Sequence, residues 1–287
     1  MLRKIYHSIP ISLAARAWLK KKTPLKWQRQ RQLRNFGTIT ELYFWRTDKG
    51  IDTIAPIQNY FSALFPDLDT ATTAKIWFYD NRGTLVAERE FALSHKGMHV
   101  VRISDIPEIR GSHGTFMWHI NMPDAVAGQT AVRKNLVYFT DRGYICYEKS
   151  GSQPAFTHGV DRYAVFQKQN LERHELFYGN LSQTRSWVPE FPLVEGMQTE
   201  TEVILLNRSA HPQQYEISVF KNGGALISKS SIDVAPRGVG IFSIDEELMR
   251  RLDGSSGFFA VDGIPTTWGR PAIMRHFSSG AISIMHC

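Results

Sequence analysis

Apolar and polar side chains alternate through residues 75–86, KIWFYDNRGTLV, and the same order returns at residues 216–227, EISVFKNGGALI. Counting 141 residues on from each position keeps the match without a gap: Phe91 meets Ile232, Leu93 meets Val234, Gly97 meets Gly238, Val101 meets Phe242 and Ile103 meets Ile244. Apolar class, glycine position and spacing persist together, which points to one duplicated unit. Each copy reads as strand, tight turn, strand, turn, strand. The first turn is Asp80-Asn-Arg-Gly83 or Lys221-Asn-Gly-Gly224, where Asn and Gly tolerate the positive φ of a hairpin. The second is Ser94-His-Lys-Gly97 or Ala235-Pro-Arg-Gly238. Period-two alternation assigns Ile76 and Phe78, with Ile217 and Val219, to the core face, and turns Trp77 and Tyr79 outward with Ser218 and Phe220.

Looser echoes extend the repeat. GTFMWHI at 114–120 resembles GFFAVDG at 257–263, and QNYFSALFP at 58–66 corresponds to LNRSAHP at 206–212 with an insertion in the first copy. TELYFW at 40–45 echoes HELFYG at 174–179. Each copy is expected to close with a hairpin, 135–140 with 144–148 in the first and 272–276 with 281–286 in the second. The chain therefore reads as mainly β: two tandem antiparallel β-sandwich-like units related by internal duplication, preceded by a short basic helical or disordered arm. The expected divisions are 1–36 for the arm, 37–150 for the first unit and 151–287 for the second, with the boundary in the loop-forming Ser150-Gly-Ser-Gln-Pro154. Helix is expected in the arm, at Asn59–Leu64, and at Ile244–Leu252, where Asp245 caps and Gly254 terminates.

Charge changes this picture at one end only. Residues 1–40 hold ten Lys or Arg and no acid, so a net charge of +7 over the whole chain leaves −3 for the rest. The body has no electrostatic reason to bind nucleic acid, and no specific nucleic-acid recognition is expected. In the arm, Thr23-Pro24 is a helix start. Lys20, Lys21, Lys22, Lys26, Arg29, Arg31 and Arg34 lie among Trp18, Leu19, Leu25, Trp27 and Leu33. Basic side chains mixed with Trp and Leu suit an anionic membrane surface or another polyanion; a solvated tail or a transit peptide is the plainer reading. Two distant cysteines, Cys146 and Cys287, make a disulfide framework implausible. No run approaches the roughly 18–20 apolar residues of a membrane span, and Ile9–Leu19 makes a poor secretory signal. A cytoplasmic chain, peripheral to a membrane, is the expectation.

Chemistry-bearing motifs are sparse. No G-x-S-x-G elbow and no phosphate loop occur, and no histidine pair has metal-ligand spacing, so neither metal nor cofactor is expected. The polar side chains that could meet in the second unit are His158, Asp161, Arg162, His276 and His286, with His276 facing His286 across the terminal hairpin. Trp77 and Tyr79 offer an aromatic platform of the kind that stacks on the apolar faces of sugars, unless the other unit or the arm buries them. Three functions follow: a non-enzymatic binding or adaptor protein tethered by its basic arm, a carbohydrate-binding protein serving glycan synthesis or export, and an enzyme with a His/Asp/Arg site. The residues favour binding over catalysis.

Overall fold

The structure is a computed structural model that describes residues 36–39, 42–127, 143–158, 165–167, 185–187, 193–194, 196–208, 211–254, 256–264 and 271–286. The arm cations Lys20, Lys21, Lys22, Lys26, Arg29, Arg31 and Arg34 lie outside the described residues, as do Asp161 and Arg162. The body, Arg34–Cys287, is one compact unit.

The first half contributes β1 (Phe36–Ile39), β2 (Tyr43–Arg46), β3 (Ile51–Gln58), α1 (Tyr60–Leu64), β4 (Thr72–Asp80), β5 (Leu85–Leu93), β6 (Met98–Arg102), β7 (His113–Asn121), α2 (Asp124–Ala127), β8 (Tyr144–Lys149), β9 (Ala155–His158) and β10 (Val165–Gln167). The second contributes β11 (Arg185–Trp187), β12 (Leu193–Val194), β13 (Glu200–Leu206), β14 (Gln213–Lys221), β15 (Leu226–Val234), β16 (Val239–Ile244), α3 (Glu246–Arg250), β17 (Ser256–Ile264), β18 (Ala272–His276) and β19 (Ile282–His286). All the described strand pairs are antiparallel.

Apart from β10, each described strand of the first module has a counterpart in the second. One sheet of the first module runs β10-β1-β7-β4-β5 with β2 also on β7; the second module repeats it as β11-β17-β14-β15 with β12 on β17. The other sheets run β6-β3-β8-β9 and β16-β13-β18-β19. Both first turns close identically, Gly83 donating to Asp80 O and Gly224 to Lys221 O, each at 3.0 Å. Asn59 and Asn207 also correspond. Their backbone N–H groups donate to Gly97 O and Gly238 O, and each side-chain amide donates to two backbone carbonyls, Thr70 O and Ser94 O in one case, His211 O and Val234 O in the other. These buried donors staple the end of one sheet to the turn of the other. α1 lies within the insertion after Asn59, and α3 is capped by Asp245, whose carboxylate accepts from Leu248 N.

Alternating large side chains fill the space between the sheets. Trp45, Phe78, Phe116, Trp118 and Tyr147 are buried in the first module, and Tyr215, Ile217, Val219, Phe259 and Ile273 in the second. Each such side chain stabilises its module by roughly 1.5–3 kcal/mol through burial alone. One expectation needs correction. The stretch Ser150–Pro154 is a hairpin turn inside the first module, because β9 pairs with β8. β3 and β9 pair with the two edges of β8, and residues 135–140, its expected hairpin partner, lie outside the described residues.

Candidate functional site

Charged side chains meet where the first module rests on the outer face of the β13 sheet. β13 turns Thr201, Val203 and Leu205 into its own core, which leaves Glu200, Glu202 and Ile204 on the opposite face. Register places Glu200 opposite His276 and Glu202 opposite Met274, so His276 shares that face. From the first module, β2 ends in Arg46. The turn that follows carries Lys49 and Gly50 at positive φ, +52° and +69°, and is closed by Ile51 N donating to Asp48 O.

The side chains of Arg46 and Glu202 are 1% and 2% exposed, and Arg46 Nη1 lies 2.5 Å from Glu202 Oε2. Arg46 Nε lies 2.6 Å from Asp48 Oδ1, whose other oxygen is 2.9 Å from His113 Nδ1. Lys49 Nζ bridges Glu202 Oε1 at 2.8 Å and Glu200 Oε1 at 3.0 Å. His276 Nε2 is 2.9 Å from Glu202 Oε2, and Ser243 Oγ donates to Glu200. Burial alone would raise the Glu202 pKa, but the His276 hydrogen bond and the charges of Arg46 and Lys49 outweigh it and hold the carboxyl at about 2. Burial likewise opposes the charge on Arg46, yet Glu202 and Asp48 keep its pKa above the ordinary value. Asp48 is held below the usual range by His113 and Arg46 against its burial.

This arrangement is a clamp between modules. Ligand atoms of Glu200, Glu202 and His276 lie within 4.8 Å of one another, a spacing a metal ion could use. The Lys49 ammonium already occupies the position between both carboxylates, so the set is neutralised by protein cations. A carboxylate held at about 2 is also a weak general base at neutral pH.

A second contact lies beside the clamp. The turn Asn81–Gly83 meets the turn Ala235–Gly238: Val239 N donates to Asn81 O at 3.1 Å, Thr115 Oγ1 donates to Arg237 O, and the Arg237 guanidinium covers the Tyr79 ring at 5.5 Å. A Cβ on Gly83 would stand 1.9 Å from Pro236 O, so only glycine allows this approach. Arg208 Nη2 donates to Leu42 O. The expected aromatic platform is therefore corrected: Tyr79 is 1% and Trp77 5% exposed. β4 is an interior strand, between β5 and β7, and the second module lies against Tyr79 on the face that alternation had turned outward.

The expected polar site does not assemble across its hairpin. His276 pairs with Ile282 and His286 with Ala272, so the two stand at opposite ends of it. The side chain of His286 lies outside the described residues. His158, on β9, meets Tyr144 edge-on at 6.0 Å. Of the expected residues whose side chains are described, only His276 is in the clamp. Arg46, Asp48, Lys49, Glu200 and Glu202 escaped sequence reasoning, although two acids at alternate positions of the apolar run ETEVILL were a usable signal.

The face of the first module that corresponds to the clamp face is open. On β6, β3, β8 and β9 the register aligns Met98, Val100, Pro56, Ile54, Tyr144, Cys146 and Phe156 on one side of the sheet. Met98, Val100, Tyr144 and Phe156 are each more than half exposed. Arg102 closes the edge of this face, pairing with Asp52 and Glu148 at 2.9 Å each.

No protein-family model matches the chain, and no curated protein does. Similar solved structures include a putative β-galactosidase from Bacteroides fragilis, with TM-score 0.17 and 8% identity over 86% of this chain and 31% of that one. A calcium-binding mutant of Bacteroides uniformis β-glucuronidase 2 has TM-score 0.19 and 9% identity over 86% and 25%, and a glycosyl hydrolase family 2 member from Bacteroides cellulosilyticus has 0.17 and 8% over 85% and 25%. The chain spans a third or less of these proteins, and at such scores the likeness carries no argument about what it does.

Proposed function

We propose that the chain is a non-catalytic binding protein, an adaptor whose clamped body is held at an anionic surface by its basic arm. The observation that carries this reading is the segregation of charge: ten cations and no acid within residues 1–40, against a body of net −3. The clamp supports it from the other side, because the acid–histidine cluster among the described residues spends its charges on joining the modules. Among the described residues no helix is long and apolar enough to cross a membrane.

The test is cosedimentation of the full chain with vesicles containing phosphatidylserine. Binding at low salt and release at high salt are expected. The Lys20→Gln, Lys21→Gln, Lys22→Gln and Lys26→Gln variant should bind roughly a hundredfold or more weakly, at about 1 kcal/mol per neutralised cation. Equal binding by both forms would end the tether.

One observation favours a second reading, sugar binding. The exposed rings of Tyr144 and Phe156 lie on the open face, and exposed aromatic rings can stack on the apolar faces of sugars. In affinity electrophoresis through polysaccharide gels, Tyr144→Ala and Phe156→Ala should each weaken retardation roughly tenfold. Unchanged migration of the wild-type chain in every gel removes this reading.

A further inference from the structure

The duplication shows what covers a face of this kind. In the second module, Ile204, Glu202, Met274, Val239 and Ile284 lie on the outer side of the smaller sheet and are all buried. Around Glu202, Met274 and Val239 the first module supplies the cover, through Arg46, Lys49 and Asn81. By strand register these residues correspond to Pro56, Ile54, Cys146, Met98 and Phe156 of the first module. The equivalent strands β9 and β19 lie against each other, but at the turns the docking is head-to-tail. Asn81 of the first module meets Val239, whereas the equivalent turn of the second module carries Gly223 and Gly224 with nothing within 4 Å of a built Cβ. Among the described residues, one docking face and one docking edge are therefore left over.

We propose that the open face of the first module receives the second module of another copy of this chain, repeating the internal contact between molecules. The inference rests on the binding-protein reading and names its partner. The leftover surfaces match in chemistry. β2 and β12 hold the same register on β7 and β17, which sets Val194 in the place of Arg46. Arg46 precedes Ile54, and Val194 precedes Glu202, by the same eight residues, so by count Met197 stands for Lys49. Within the chain, Arg46 and Lys49 meet Glu202; between chains, Val194 and Met197, the latter 59% exposed, would meet Ile54, which stands in the place of Glu202. Both members of the pair have changed from charged to apolar.

The acids agree. In the second module Ser243 stands beside Glu200, and the missing cation comes from Lys49 of the first. In the first module Arg102 occupies the position of Ser243 and neutralises Asp52 and Glu148 from within, so no cation is required of the newcomer. The insertion that carries α1 enlarges the rim of the open face where the shorter second-module loop, through Arg208, touches Leu42. A contact between unlike surfaces does not close on itself as a twofold dimer does, so it generates rings or open rows of molecules.

Sedimentation velocity of the full chain over a wide concentration series tests this without lipid or sugar. Association beyond a dimer is expected, and it should persist at high salt because the contact is apolar; association driven by the basic arm would be screened away. Ile54→Glu and Val194→Arg should each weaken it roughly a hundredfold by placing an unpaired charge in the contact. Both positions are half-buried on the surface, and unchanged thermal melts confirm that the variants fold. Mixing the two variants, which recreates between molecules the pair seen at Arg46 and Glu202, should restore association. A wild-type chain that stays monomeric throughout, or association indifferent to both substitutions, overturns the inference. Vesicle binding by a monomeric chain would leave the adaptor reading standing.

Discussion

Replacing Arg46 with alanine should destabilise the folded chain by about 3–5 kcal/mol, because it strands the buried Glu202 carboxylate, and the half-buried Asp48 carboxylate, without their shared partner. Urea titration followed by tryptophan fluorescence measures this loss. The modules should also uncouple, so one transition gives way to two. An Arg46→Met, Glu202→Leu double variant should recover most of the stability, since removing both charges leaves neither to be solvated. Acid titrates the same clamp. Glu202 ionises at about 2 in the folded chain against an ordinary 4.5. A carboxyl held down in this way stabilises the fold fully above pH 4.5 and loses that contribution as pH falls towards 2. The amount is on the order of 3 kcal/mol. In Arg46→Ala the carboxyl is held down less, so the gap between wild type and variant should close as pH falls through that window. A gap that stays constant between pH 4.5 and 2 would show that the pair contributes little.

The duplicated strands were legible because their information is local. Strand alternation, the Asn- and Gly-bearing turns and the cap at Asp245 all lie within a few residues of what they specify, and β4–β5 repeats as β14–β15 at the spacing of 141 read from the sequence. The correspondence of Asn59 with Asn207 survived the insertion for the same reason. What failed was non-local. The counterpart of β2 is β12, at Leu193–Val194, because register on β17 decides it, and the similar-looking stretch 174–179 lies outside the described residues. The loop-forming Ser150–Pro154 suggested a boundary, but β9 returns across it to pair with β8. Trp77 and Tyr79 were turned outward by a rule that treats one face of a sheet as free. The clamp joins residues some 150 positions apart, Arg46 to Glu202, and a charge pair across that distance leaves no periodicity to read.

Trp45→Ala should be the most damaging truncation in the first module, by about 3–5 kcal/mol from lost packing. The indole is fully buried, and its Nε1 donates to Thr115 O at 2.9 Å and Tyr79 O at 3.2 Å. Removing it opens a cavity and strips two buried carbonyls of a donor, each worth a further 1–3 kcal/mol if it stays unpaired. Trp45→Phe keeps part of the volume and loses the donor, so it should fall between wild type and alanine. The duplication supplies the control. Leu193 takes the position of Trp45, facing Gly257 as Trp45 faces Gly114, and has no donor to lose. Leu193→Ala should therefore cost only the packing, about 2–5 kcal/mol. Thr115 and Tyr79 also carry the contacts to Arg237, so only the Trp45 variants should loosen the second module. Hydrogen exchange at Val239, whose amide bonds across the junction to Asn81, should accelerate in Trp45→Ala and stay slow in Leu193→Ala. Equal acceleration in both would mean that the junction follows global stability and that the indole has no part in positioning it.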